Sequence, residues 1–331
     1  GGSSLFGGGA GGAPHASGSN YEAGGFGGGR GYFSGGGGAG FGGAVFVRDG
    51  GSFVLRTTAG AVSIAGGQAV AGAARNGLGN GSDNVESGYG MALAKGLFLQ
   101  GGAGITFDVA AGATTTVADD IASDCGAGNG VCNDGGVAKT GAGTLVLSAV
   151  SGYDGATRIL GGTLELDGAL ASGTVPASTA PSTVVVNGGT LSGSGNAAGT
   201  VLLQNGNIAP GGPSAPGTLD VGALSWTPGA KIRMRLSASD AASDHLVVAG
   251  ALAKSANGKF VFSFLQGTGS PALGTTYTLI RSADASAFQP ADFDYDHAGA
   301  YGGTFSINAN TVQFTLTSFT SDRIFADGFG G

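Results

Sequence analysis

The chain has 331 residues, of which 72 are glycine and only 35 (14 basic plus 21 acidic) are charged. The net charge is −7 and the basic residues are scattered, which excludes a nucleic-acid-binding surface. Yet 41% of the residues are hydrophobic, which separates the chain from glycine-rich disordered polymers, and no apolar run reaches the roughly 18 residues of a membrane helix.

Residues 1–43 contain 21 glycines, interspersed with Phe6, Tyr21, Phe26, Tyr32, Phe33 and Phe41. Two readings stand: a low-complexity tail, or the first turns of a repeat with one aromatic per turn. The aromatics are candidates for stacking on sugars as well as for core packing. The chain begins at Gly1 without Met, which reads as a mature or trimmed product.

From Gly42 onward, apolar pairs at period two are split by glycines, the signature of short strands and turns. Val45 with Val47, Phe53 with Leu55, and Val62 with Ile64 open the series. Residues 72–90 read as a loop, and Leu97/Leu99 and Ile105/Phe107 resume the pattern. Cys125 and Cys132 follow, separated by six residues of which three are glycine, so a local disulfide is within reach. That bridge implies an oxidising compartment. A metal site there lacks further ligands, since no histidine lies nearby. Later come Val184/Val186, Val201/Leu203, Leu219/Val221, Ile232/Met234/Leu236, Phe260/Phe262/Phe264, Tyr277/Leu279, Phe305/Ile307 and Val312/Phe314/Leu316.

Gly-Thr-Leu recurs at Gly143, Gly162, Gly189 and Gly217, in steps of 19, 27 and 28 residues. A recurrence of that length, with no helical period anywhere, predicts an all-β solenoid in which each coil buries its apolar face on the next. Some 13 coils at ~4.8 Å each give a rod of about 60 Å.

Candidate chemistry is sparse. Ser243-Asp244-His245 resembles the ingredients of a hydrolase, but neighbours on a strand point to opposite faces, so the run supplies no triad. Of the other histidines, His15 and His297 stand apart from any such grouping. Asp292, Asp294 and Asp296 alternate and on one strand would line a face suited to Ca²⁺. The alternative is a solvated face with Phe293 and Tyr295 turned inward. Asp119-Asp120 is a weaker case. No phosphate-binding Gly-x-x-x-x-Gly-Lys-Ser/Thr pattern occurs, and Asn80-Gly81-Ser82 fits a glycosylation sequon. No catalytic residue, cofactor or resident metal is assigned.

The run Lys139-Thr140-Gly141-Ala142-Gly143-Thr144-Leu145, with Tyr153 and Gly161-Gly162-Thr163-Leu164 after it, resembles the autotransporter-associated β-strand repeat of bacterial passenger domains. Asn187-Gly188-Gly189-Thr190-Leu191, Pro216-Gly217-Thr218-Leu219, Ser243 to Val248 and Leu273 to Ile280 are similar to the same family, as is Gly40 to Val47. The likeness covers most of residues 36–290. It implies a right-handed parallel β-helix exported to the outer surface of a Gram-negative bacterium. Such families also carry a C-terminal membrane barrel, for which the residues after Ser286 are too few. Ser321 to Phe329 resembles a short tail found on some exported proteins, which implies a stand-alone secreted chain.

These readings predict a Gly-rich segment over 1–43, a β-helix over 44–285, and a small C-terminal β cap and tail over 286–331. They predict a non-enzymatic extracellular protein, structural or adhesive. Two ends without apparent caps predict stacking of copies end to end into a filament. The alternatives are a β-helical polysaccharide-acting enzyme or a module binding a surface glycan. No membrane-spanning segment is expected.

Overall fold

The computed structural model describes residues 28–29, 31, 36–73, 89–123, 136–171, 182–296 and 301–320. Most of residues 1–43, the central part of the loop expected over 72–90, both cysteines, His15, His297, the sequon and the 321–329 tail lie outside these.

Turns, many of them at glycine, bend the coils at three corners, so three strand faces stack in parallel ladders. The first face runs through Ala61–Ile64, Thr114–Val117, Thr144–Leu147, Thr163–Leu166, residues 190–193, residues 207–210, Lys231–Leu236, Phe260–Gln266 and Phe293–Asp296. Among the described residues that ladder is nine strands deep. At ~4.8 Å per strand this described ladder is about 40 Å long. The second face carries Ser52–Thr57, Gly104–Val109, Val137–Thr140, Thr157–Ile159 and then residues 184–187, 201–205, 223–226 and 251–254. The third begins at Val45–Val47, Leu97–Leu99 and Ile121–Ser123 and continues through Val150–Ser151, Ala169–Leu170, and residues 196–197, 218–221, 245–248 and 280–282.

Period-two alternation sends one side chain of each pair inward, and the parallel register lines these up in columns. One reads Phe53, Ile105, Val137, Thr157, Val184, Val201, Leu224, Leu252. Another reads Leu145, Leu164, Leu191, Ile208, Ile232, Phe262. Apart from partly buried Phe53, all these side chains are buried. Each coil thus supplies one residue per column, and the core exists only through stacking.

The first three Gly-Thr-Leu copies stack: Thr144 faces Thr163, and Thr163 faces Thr190. The fourth does not. Thr218-Leu219 lies on the third face, against His245-Leu246. The turn chemistry is the same, but residues 211–217 form a loop between the first and third faces before the strand Thr218–Trp226 begins.

Core volume grows along the rod. Toward the C-terminus Trp226 packs edge-on against Phe260 and Phe262, both at 5.3 Å, and Phe264, Phe288, Phe293, Phe305 and Phe314 extend the cluster. An antiparallel hairpin covers part of this end. Tyr301–Asn308 pairs with Thr311–Phe319, which also pairs with Thr276–Asp284. Ala309 and Asn310 both have positive φ, 45° and 63°, as a two-residue hairpin turn requires. Asn310 anchors that turn by donating to the Ala283 carbonyl at 2.8 Å. The hairpin covers the downstream edge of Thr276–Asp284, whereas that of Phe293–Asp296 pairs with no other strand among the described residues. At the opposite end the upstream edges of Val45–Val47, Ser52–Thr57 and Ala61–Ile64 pair with no other strand among the described residues. No helix in the described residues is long and apolar enough to cross a membrane.

Candidate functional site: a groove on the outer face of the coils

The outward side of the first face carries the residues that alternate with the core columns. Thr114, Thr144, Thr163 and Thr190 form one row of hydroxyls, each about 4.8 Å from the next. The adjoining row reads Glu165, Ser192, Ala209, Arg233. These rows floor a groove of about 420 Å³, with Gly212 and Pro213 on one wall. That lies within the size range of small-molecule sites, about 300–1,000 Å³.

The wall is pinned from beneath. Arg235 donates from Nη1 to the Ala215 carbonyl at 2.6 Å and from Nη2 to the Gly212 carbonyl at 2.5 Å. Asp244, with its side chain 2% exposed, accepts the Gly217 N–H at 2.9 Å and the Arg235 N–H at 2.7 Å. It also lies 3.7 Å from the Arg235 guanidinium. Burial pushes the Asp244 carboxyl up, opposed by those two N–H groups, Arg235 and His245. So the loop over residues 211–217 is a fixed wall.

Glu165 and Arg233 are different. Neither makes a hydrogen bond or ion pair among the described residues, although both are half-buried in the groove. Burial pushes the Glu165 carboxyl up, and nearby Asp167 adds to it.

The residues singled out from sequence have structural partners. Ser243 Oγ donates to the Ser239 carbonyl at 2.8 Å and accepts the Ser237 N–H at 2.9 Å. His245 Nδ1 lies 2.8 Å from the Thr278 carbonyl. With Asp244 committed to the loop, the three side chains do not converge. Asp292 is not on the strand expected. It ends a short 3₁₀ turn, Pro290–Asp292, where it accepts the Gln289 N–H at 2.6 Å and Lys254 Nζ at 2.6 Å. Asp296 pairs with Lys231 at 3.1 Å, and Asp294 is exposed. Phe293 is buried and Tyr295 half-buried. Asp119 and Asp120 accept the backbone N–H groups of Gly67 and Lys95, each at 2.7 Å. Among the described residues no group of three or more His, Cys, Asp or Glu is placed to hold a metal ion.

Sequence reasoning missed Glu165, Ser192 and Arg233. They come from different coils, and only the register between coils makes them neighbours. The chemistry of Lys139 was also missed. Its side chain sits in the inward column between Phe107 and Ile159 and is fully buried. Its Nζ donates to the carbonyls of Thr140, Gly141 and Gly161 at 2.6, 2.8 and 3.2 Å. Burial pushes the amine down to about 8, with Asp108 opposing. Tyr153, also buried, shares a 2.6 Å hydrogen bond with Thr157.

These residues define a parallel β-repeat protein whose motif residues serve the corners of the coils. Residues 137–166, which hold Lys139, Gly141, Tyr153 and Gly162, match the family of the passenger-associated-transport-repeat. The chain is also 38% identical over 93 residues to an extracellular serine protease of Serratia marcescens. The match covers 28% of this chain and spans only 8% of the length of that protein. The sequence resemblance to repeat-bearing autotransporter passenger domains is thereby confirmed.

Proposed function

We propose that this chain is a non-enzymatic passenger-type β-solenoid, wound right-handed and displayed outside a Gram-negative cell, where it works as a structural or adhesive element. The observation that carries this reading is the nine-strand parallel ladder, in which the passenger repeat is one segment of a continuous scaffold. The Ser243-Asp244-His245 run forms no catalytic triad. Ser243, Asp244 and His245 are each held by a structural partner.

Self-association is part of the proposal, and the upstream edge of the first coil is its route. Val54, 54% exposed, stands on that edge strand. Exposed edge strands invite pairing with another chain. At the other end the downstream edge of Phe293–Asp296 pairs with no other strand among the described residues, which leaves a second parallel edge for end-to-end stacking into a filament.

The test is surface display in a heterologous Gram-negative host, scored by cell–cell aggregation and attachment, with electron microscopy of the released protein. Attachment with isolated, paired or end-to-end stacked rods supports the reading. Cells that neither aggregate nor attach, together with turnover of a peptide or polysaccharide by the purified chain, overturn it.

A further inference from the structure

We infer that the groove over Glu165, Ser192 and Arg233 is a binding site for a neutral, linear glycan lying along the rod axis. The inference rests on the non-enzymatic surface reading and names the ligand of its outer face.

Three observations carry it. The groove is built, because its wall is fixed by Arg235 and by an Asp244 that is itself 2% exposed. Its two uncommitted charges, Glu165 and Arg233, lie in one row three strands apart, about 14 Å. Both are half-buried without a partner. Removing a charge from water is unfavourable unless it gains hydrogen bonds, so the arrangement favours a ligand that supplies them.

The chemistry then narrows. Glu165 and Asp244 balance Arg233 and Arg235, so the groove selects no net charge. A carboxylate accepts from two adjacent hydroxyls, and a guanidinium donates to two adjacent oxygens. The hydroxyls of Thr144, Thr163 and Thr190 both donate and accept along the floor. Their spacing of one strand is close to the length of one sugar ring in a chain. Leu265 and Pro213 add apolar contact for ring faces. An extended peptide fits less well, since peptides add to sheets through free backbone edges and this floor presents side chains only.

The test is titration of the full chain with glucose tetrasaccharides of β-1,4, β-1,3 and α-1,4 linkage, followed by calorimetry or NMR. A galacturonate tetramer and an acidic tetrapeptide serve as comparisons. The expected result is saturable binding of at least one neutral tetrasaccharide. Arg233→Gln and Glu165→Gln should each weaken it at least tenfold, whereas Arg158→Gln on the second face leaves it unchanged. Ser192→Trp, which fills the floor, should abolish it. Unchanged circular dichroism in all variants excludes loss of fold. Failure of every neutral tetrasaccharide to bind, equal binding by the variants, or preference for the galacturonate or the peptide overturns the inference. Cleavage of a bound tetrasaccharide would instead overturn the non-enzymatic reading and leave the site standing.

Discussion

Lys139 reaches across the stack to Gly161: its Nζ donates to that carbonyl at 3.2 Å from one coil below. The same amine holds Thr140 and Gly141 of its own coil. A cation placed in an apolar column thus satisfies the carbonyls that a glycine corner turns away from the ladder. Gly141 has φ of 71°, and a Cβ there would collide with the Val109 carbonyl, so the corner admits no larger residue.

Lys139→Met keeps the volume and removes the donors. Three carbonyls lose their partner, and the expected cost is about 1–3 kcal/mol in chemical denaturation.

The pH dependence has a defined sign. The native amine releases its proton near pH 8 and the unfolded one near 10.5. Between those values the unfolded chain holds more protons, so stability rises with pH. Tyr153 acts in the opposite direction. Burial keeps its hydroxyl protonated above its usual value of 10.0, so stability falls once the unfolded tyrosine ionises. Melting temperatures should therefore climb from pH 8 toward 10 and drop beyond it. The climb should vanish in Lys139→Met, and a wild-type profile that is flat from 8 to 10 would contradict this assignment.

Tyr153→Phe leaves Thr157 Oγ1 buried without its 2.6 Å partner, at an expected cost of about 1–2 kcal/mol. Tyr153→Ala adds a cavity and should cost about 3–5 kcal/mol. Urea denaturation of both variants separates the hydroxyl from the ring.

Asp244→Ala strands Arg235 and two backbone N–H groups, Gly217 and Arg235. Breaking a buried pair on one side costs about 3–5 kcal/mol. The loop over residues 211–217 should become protease-sensitive while the far coils stay intact, which limited proteolysis with mass spectrometry will show.

Trp226 has no exposed surface, and its Nε1 donates to the Ala230 carbonyl at 3.0 Å. Its emission should be blue-shifted in the native state and move to the red on unfolding. Trp226→Ala should cost about 3–5 kcal/mol, because Phe260 and Phe262 lose the ring between them.

Much of the architecture was legible because alternation is a local property. Ile232, Met234 and Leu236 announce their inward side, and all three are buried. Corner chemistry was legible too, since Gly141 and Gly162 mark turns with positive φ. The face on which a strand lands was not legible. Thr218-Leu219 repeats the motif yet stacks on His245-Leu246, because the preceding loop shifts it past one corner. The groove was hidden for a related reason. Glu165 and Arg233 are 68 residues apart in the chain, and only the ladder through Ser192 and Ala209 aligns them. Lys139 was visible as a motif residue, but its burial depends on the coils above and below.

The uneven filling of the rod sets a direction for its opening. Each coil is held only by its neighbours, so the chain behaves as a zipper rather than as one block. The aromatic cluster and hairpin clamp one end, whereas Phe53, Leu55 and Ile64 of the first coil are only partly covered. Amide exchange should be fastest at Ser52–Thr57 and Ala61–Ile64 and slow progressively toward Phe260–Gln266. A pull on the N-terminal side would then peel the rod coil by coil, with the clamp yielding last.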